Sequence, residues 1–151
     1  MPDAPAQDDH EVPSAATAGG TSRISTQVRR FHEAFGLPVR RRPSAEVDAR
    51  EAALRTALIE EEVGELRAAA EAGDVVGVAD ALADIVYVAY GTAHVYGIDL
   101  DAVLDEVHAS NMTKLGADGR PVYRADGKVL KGPGYRRPDV SGVLGRSARV
   151  P

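Results

Sequence analysis

Apolar positions recur at helical spacing through most of the chain. Ile24, Val28, Phe31 and Phe35 follow each other at three- and four-residue intervals over residues 23–35, and Gly36 and Pro38 stop that run. A longer pattern starts near Ser44, the expected N-cap, and runs to Ala72, with Glu46, Asp48 and Glu51 enriching its first turns in acid. "AGD" interrupts it, and Asp74 can cap the next helix, from Val75 to about Tyr96, where Gly97 ends it. Asp99 opens a further helix with Leu100, Val103, Leu104 and Val107 on one face. After Gly116 the period changes. "PVYRADGKVLKG" alternates around Asp126-Gly127 and reads as a small β-hairpin, and Pro133, Gly134 and Pro138 read as an extended arm.

This pattern predicts an all-α fold, a helical hairpin bundle completed by oligomerisation, with a short C-terminal β-hairpin and an extended arm. Residues 1–22, rich in Pro, Ala, Asp, Gly, Ser and Thr, lack any apolar period and are expected to be a disordered tail. The helical domain is expected over 23–116 and the basic hairpin and arm over 117–151. "PVRRRP", from Pro38 to Pro43, is a loop whose arginines either contact phosphates or are solvated linker charge. Two long helices joined by a tight turn form an αα-hairpin, and two flanking helices cannot cover its apolar faces. A homodimer or homotetramer is therefore expected.

Composition narrows the chemistry. There is no cysteine, which removes disulfides, thiolate metal sites and cysteine nucleophiles. There is no Trp, and two Phe and five Tyr are too few for a base-stacking platform, so no nucleic-acid partner is expected. The N-terminus has no basic segment followed by an apolar core, and no uncharged apolar run approaches membrane-spanning length. Neither a signal peptide nor a membrane partner is expected, and the cytoplasm is the default location. The net charge of −5 hides an asymmetry: residues 44–111 carry 15 acidic and 3 basic side chains, residues 112–151 carry 3 acidic and 9 basic. Such a division fits an anionic ligand bridged by a metal cation, and it also fits intramolecular charge balance.

The acidic residues are not spread evenly around their helices. With Leu58 set at 0°, Leu54 falls near roughly 320° and Leu66 near 80°, while Glu65 falls near 340°, Glu62 near 40° and Glu61 near 300°. These three glutamates share the apolar stripe or its margin, and Glu60, at roughly 200°, faces the other way. The helix from Val75 to Tyr96 is apolar nearly all round, which predicts burial, yet Asp80, Asp84, Tyr87, Gly91 and His94 form one polar stripe along it. An antiparallel hairpin brings the two acidic sets together, with only Arg50, Arg55 and Arg67 as cations in that section. Clustered carboxylates without cations are costly, and a hard divalent ion such as Mg²⁺ relieves this through oxygen ligands. The competing reading is a solvated acidic face, or pairing with arginines of another subunit. His94 and His108 read as structural.

"LIEEEVGEL" followed by "DALADIVYVAYGTAHVYGIDLDAVLDEVHASNMTKL" resembles the MazG-like all-α nucleoside triphosphate pyrophosphohydrolases. Within them it is most similar to the phosphoribosyl-ATP pyrophosphohydrolase-like proteins, which include MazG-like dUTP pyrophosphatases. The resemblance covers roughly residues 27–139, with "QVRRFHEAFGLP" at the start and "GKVLKGPGYRRPDV" at the end. The family pattern is Glu-x-x-Glu, a spacer, then Glu-x-x-Asp. Glu62 and Glu65 match its first half and Asp84 its last position, which implies that these three bind Mg²⁺, with Mn²⁺ as a possible substitute. Glu61 matches the glutamate that orients or deprotonates the attacking water. Ala81 stands where the family has Glu, and Asp80, on the same face as Asp84, is the replacement ligand expected. One ion firmly held and a second arriving with substrate is the expectation that follows. "SNMTK" resembles the segment ending the family's helix, which gives Asn111 a base or sugar contact, or only a polar helix end, and gives Lys114 a phosphate. Lys131 and Tyr135 in "KGPGY" are substrate contacts or serve arm packing.

The resemblance implies hydrolysis between the α- and β-phosphoryl groups of a nucleotide, giving a monophosphate and pyrophosphate. A role in cleansing the pool of dUTP or another non-standard or pyrimidine deoxynucleotide is expected. Two alternatives share the sequence: phosphoribosyl-ATP hydrolysis in histidine synthesis, and a non-catalytic helical nucleotide-binding or oligomerisation module, which the Ala81 departure favours. Haloacid-dehalogenase chemistry is excluded, because no Asp-x-Asp motif follows a buried strand.

Overall fold

The computed structural model describes residues 21–148. The expected N-terminal tail lies outside them except for Thr21 and Ser22, and Ser22 already belongs to the fold. Its hydroxyl accepts from the Ser25 amide and caps α1, Arg23–Ala34. The long hairpin follows as α2, Ala49–Ala72, and α3, Val75–Tyr96, joined at Gly73 and Asp74. Asp74 caps α3 as expected, accepting from the Val76 and Gly77 amides. Then come α4, Leu100–Met112, capped by Asp99, and α5, Val140–Ser147, capped by Asp139.

The start of α2 differs from expectation. Asp48, not Ser44, is the cap, its carboxylate accepting from the Arg50 and Glu51 amides. Ser44 is held elsewhere, its amide donating to the Tyr96 carbonyl at 3.0 Å. That bond is part of how the arginine loop docks. The Arg40 amide donates to the His94 carbonyl, and its guanidinium donates to the Val95 carbonyl. The loop runs so close to the end of α3 that a Cβ on Gly97 would lie 2.1 Å from the Arg42 carbonyl oxygen. Glycine at this position also supplies the left-handed turn, φ 70°, that terminates the helix.

α1 crosses the C-terminal half of α3. His94, buried, donates from Nε2 to the Ser25 carbonyl at 2.9 Å, and burial pushes its imidazole below the usual range. His94 is structural, as the sequence implies, whereas His108 is exposed on α4. Asp101 joins three elements: it accepts from the Tyr90 hydroxyl at 2.7 Å and from the Ser22 amide at 2.8 Å. Burial works against its charge, but these bonds prevail and hold its carboxyl below the usual range.

The C-terminal segment is less strand-like and more helical than its alternation suggests. Its hairpin reduces to one antiparallel bridge, Tyr123 with Val129, around a turn at Gly127. The arm then returns to α4. The Ser110 hydroxyl, buried, donates to the Arg136 carbonyl at 2.7 Å, and Glu106 accepts from the Arg136 guanidinium and the Asp139 amide. α5 was not foreshadowed; its buried Val143 seats it on α4.

Burial of α3 on all sides is not met within one chain. Its fully buried positions are Ala81, Tyr90, Gly91, Ala93, His94 and Val95, while Val75 and Val76 are 76% and 75% exposed and Leu82 and Val86 about half exposed. One hairpin partner and one short crossing helix leave the rest of its surface open. By length and composition alone α3 also qualifies as a membrane span, but it carries Asp80 and Asp84 at mid-helix, where the bilayer core penalises charge.

Candidate active site

Two close approaches fix the register of the hairpin. A Cβ on Gly77 would meet the Ala69 Cβ at 3.0 Å, and one on Gly91 would meet Arg55 Nη2 at 2.6 Å. Fourteen residues separate the two contacts on each helix, so the antiparallel register is constant between them. Halfway along, it sets Glu62 opposite Asp84. One turn towards the hairpin bend, it sets Glu65 level with Ala81.

Glu62 is half-buried, and its Oε2 is fully enclosed without a hydrogen-bond partner among the described residues. Its carboxyl is held above the usual glutamate range, by burial first and then by the charges of Glu65, Asp84, Glu61 and Asp80. Those four are the other acidic residues singled out in the sequence. Around Glu62 they are exposed. The inward turn inferred for all three glutamates thus holds for Glu62, while Glu61 and Glu65 flank it from the open side. Among the described residues no three of these groups stand as a preformed metal cage. Ala81 is buried where α3 packs on α2, so the position at which the family carries Glu faces the seam rather than solvent.

The buried, partnerless oxygen and an all-carboxylate donor set fit a hard divalent cation. Unpaired carboxylates crowded together raise one another's free energy, and a cation reverses the sign of that interaction.

The substrate-binding candidates form a second group. Lys131 lies over the Tyr135 ring, its Nζ 4.6 Å from the centroid. A Cβ on Gly132, next to Lys131, would lie 2.9 Å from the Leu115 carbonyl oxygen and 3.1 Å from that of Lys114, so "KGPGY" packs on the turn that ends α4. Lys114, Lys131 and Tyr135 are thereby gathered at one end of α4, and Asn111 is exposed one turn earlier. Among the described residues no hydrogen bond or ion pair joins this group to the carboxylates.

A pocket of about 340 Å³ opens beside the acidic site, lined by Phe31, His32, Arg55, Leu58, Asp84 and Tyr87. Asp84 thus faces both. Arg55, in the sequence one of three cations in the acidic section, is 6% exposed and forms no ion pair among the described residues. The helical wheel held the signal: Arg55 falls at roughly 60°, inside the apolar stripe of α2. Desolvation by burial lowers its pKa, against the attraction of Glu51 one turn away.

Both arms of the all-α hairpin contribute carboxylates to this site. The family model described as phosphoribosyl-ATP pyrophosphohydrolase matches residues 28–111, more than half of the chain, and the chain belongs to that family of pyrophosphohydrolases. An uncharacterised protein of Acanthamoeba polyphaga mimivirus is 37% identical over 78 residues, covering 52% of this chain. The match spans 29% of the viral protein's length. A solved structure from Exiguobacterium sp. 255-15, named as a candidate NTP pyrophosphohydrolase, covers 84% of this chain and 96% of its own at 23% identity, with a TM-score of 0.47.

Proposed function

We propose that the chain is a Mg²⁺-dependent nucleoside triphosphate pyrophosphohydrolase that releases a nucleoside monophosphate and pyrophosphate, acting on dUTP or another non-standard or pyrimidine deoxynucleotide to cleanse the nucleotide pool. The observation that carries it is the partnerless Oε2 of Glu62, on a carboxyl that the charges of Glu65, Asp84, Glu61 and Asp80 raise further. In this reading Glu62, Glu65 and Asp84 hold Mg²⁺, or Mn²⁺ in its place, and Asp80 supplies the ligand that Ala81 cannot. When bound, the ion polarises a phosphoryl oxygen and lowers the pKa of a coordinated water. Glu61, exposed beside Glu62, takes the proton from the attacking water. Water oxygen bonds to phosphorus, the bridging P–O bond of the α–β anhydride breaks, and the two products separate. Asn111, Lys114, Lys131 and Tyr135 contact the substrate, and the lysines offset charge developing on the phosphates.

The half-exposed Leu82 and Val86 on α3 support a homodimer or homotetramer, which would also bring a basic arm from one subunit towards the carboxylates of another. A cytoplasmic location suits an enzyme of free nucleotides.

The description of the matching family favours a second reading, phosphoribosyl-ATP pyrophosphohydrolase of histidine biosynthesis. Ala81, buried in place of a ligand, favours a third, a non-catalytic nucleotide-binding module. One experiment separates them: pyrophosphate and monophosphate release with Mg²⁺ from dUTP, dCTP, dTTP, ATP and phosphoribosyl-ATP, with EDTA controls. EDTA-sensitive turnover of a deoxynucleotide supports the first reading. Turnover of phosphoribosyl-ATP alone supports the second, and no turnover by folded protein supports the third.

A further inference from the structure

The loop from Pro38 to Pro43 does more than dock on α3. A cavity of about 260 Å³ lies between α1, this loop and the turn from α3 to α4. Arg29, Arg40 and Arg41 line it, together with Ser25, His94 and Asp99. Three guanidiniums thus face one carboxylate, an excess of two positive charges. Arg40 has a structural partner, the Val95 carbonyl, where a cation suits the negative end of the helix. Arg29, partly buried on α1, and Arg41, exposed on the loop, have none. Among the described residues neither guanidinium donates to an acceptor or forms an ion pair. Asp99 is outside ion-pair distance of all three, and its Oδ1 accepts from the Ala102 amide as the cap of α4. His94 adds no cation. Burial first, and then the charge of Arg29, hold its imidazole below the usual range against the bond to the Ser25 carbonyl. Like charges gathered on one cavity wall raise one another's free energy, and an anion reverses the sign of that interaction.

We propose that this cavity is a second anion site, which binds a small phosphate-class oxyanion, orthophosphate or pyrophosphate, with Arg29 as its principal ligand and Arg40 and Arg41 beside it. The inference goes beyond the pyrophosphohydrolase reading and does not depend on it. Three features converge on it. The unpartnered guanidiniums offer planar, forked donors, the geometry that matches phosphate oxygens two at a time. The excess of two positive charges equals the charge of hydrogen phosphate. The volume lies below the roughly 300–1,000 Å³ of pockets for drug-sized ligands, which suits a small ion and excludes a whole nucleotide. The site is separate from the carboxylates: His94 lies ten residues beyond Asp84 on α3, about 15 Å along the helix. The cavity shares no lining residue with the pocket beside Asp84. An anion held here ties α1, the arginine loop and the end of α3 together, so it stabilises the fold without entering the reaction.

The test titrates orthophosphate and pyrophosphate into the full chain by isothermal calorimetry, at constant ionic strength and in EDTA so that no metal holds the anion at the carboxylates. Arg29→Gln, Arg29→Lys and Arg41→Gln are compared with wild type, and Lys131→Gln tests the other basic group, at the end of α4. Arg40 is left alone because it also holds the loop on α3. Far-ultraviolet circular dichroism first shows which variants are folded, and melting with and without the anion gives the second readout. The expected result is one site per chain, weakened about tenfold or more in Arg29→Gln, the size of a hydrogen bond to a charged group. Arg41→Gln weakens it about two- to fivefold, as suits an exposed charge. Arg29→Lys, which keeps the charge but not the fork, loses less than Arg29→Gln. The anion raises the melting temperature of wild type and of Lys131→Gln, and not that of Arg29→Gln. Tighter binding of pyrophosphate makes the reaction's own product the occupant, and equal binding makes it free phosphate; both uphold the site. No uptake of either anion overturns the proposal. Uptake lost in Lys131→Gln but kept in Arg29→Gln also overturns it, because the anion then sits on the arm. If Arg29→Gln fails to fold, unchanged affinity in both Arg29→Lys and Arg41→Gln overturns it as well. A chain that hydrolyses no nucleotide but takes up phosphate through Arg29 refutes the enzyme reading and upholds this one.

Discussion

Gly91→Ala tests the geometry of the hairpin seam by stability alone. The new methyl would approach Arg55 Nη2 to 2.6 Å and His32 Nε2 to 2.8 Å, where ordinary contact begins at 3.4 Å. The shortfalls are 0.8 and 0.6 Å. His32 is buried and bonded to the Pro38 carbonyl, so it cannot yield without losing that bond. Arg55 is the longer and freer group, but moving it breaks its contacts with Thr92 and Val88. Overpacking of this kind costs about 1–3 kcal/mol. Against it stands the gain of replacing glycine by alanine inside a helix, about 1 kcal/mol at most. The net expectation is a destabilisation of about 0–2 kcal/mol. Gly145 in α5 provides the control, because a Cβ there meets nothing within 4 Å and only the helix gain remains. Urea denaturation of both variants, at one protein concentration so that oligomerisation does not enter, gives the difference. Gly145→Ala should be the more stable by about 1–3 kcal/mol. Equal stabilisation by both substitutions would refute the close approach of Arg55 to α3, and with it the register deduced from that contact.

Glu62→Gln should raise the melting temperature in EDTA, because it removes the charge that its neighbours crowd, and should abolish the rise that Mg²⁺ produces in the wild type; a melting temperature in EDTA below wild type contradicts the carboxylate cluster. The hold of the arm on α4 should depend on pH. Hydrogen bonds from Arg136 and the Asp139 amide keep Glu106 below its ordinary value of 4.5, so the stabilisation is complete above that value and is lost as pH falls through the depressed one. Hydrogen exchange at the Asp139 amide should accelerate over that acid range in wild type, and Glu106→Gln should remove the dependence. Val86→Asp, on the open face of α3, should reduce the sedimenting mass to that of one chain while leaving helicity unchanged; an unaltered mass argues that this face is not the subunit contact.

Much of the scaffold was legible because helix boundaries here are written in short-range chemistry. Asp74, Gly97 and Asp99 act at the positions their residue types dictate, and the two long helices follow from them. Ser44 misled because a cap depends on where the chain is free to coil, and the bond from Ser44 to Tyr96, 52 positions further on, is invisible to local reading. α5 was missed because two glycines in eight residues weaken its propensity, and its stability comes from burying Val143 on a partner distant in sequence. Of the acidic site, the face was predictable from a helical wheel. The depth was not: that Glu62 Oε2 is enclosed depends on how α2 and α3 pair, which a single helix does not show. Arg55 shows the reverse case. Its angle marked it as inward, but it was read as charge rather than as a buried donor.

The constant register of the α2–α3 seam also bears on how such chains tolerate changes in length. Arg55 with Gly91 and Glu62 with Asp84 are two rungs of one ladder, and the ladder is closed only at Gly73 and Asp74. Residues added at that bend lengthen the spacer between the acidic motifs without disturbing either rung. A single deletion between Arg55 and Glu62 would instead rotate one rung against the other by about 100°. Length variation in the lineage should therefore collect at the bend, and the seven-residue interval from Arg55 to Glu62 should stay fixed wherever the buried arginine is kept.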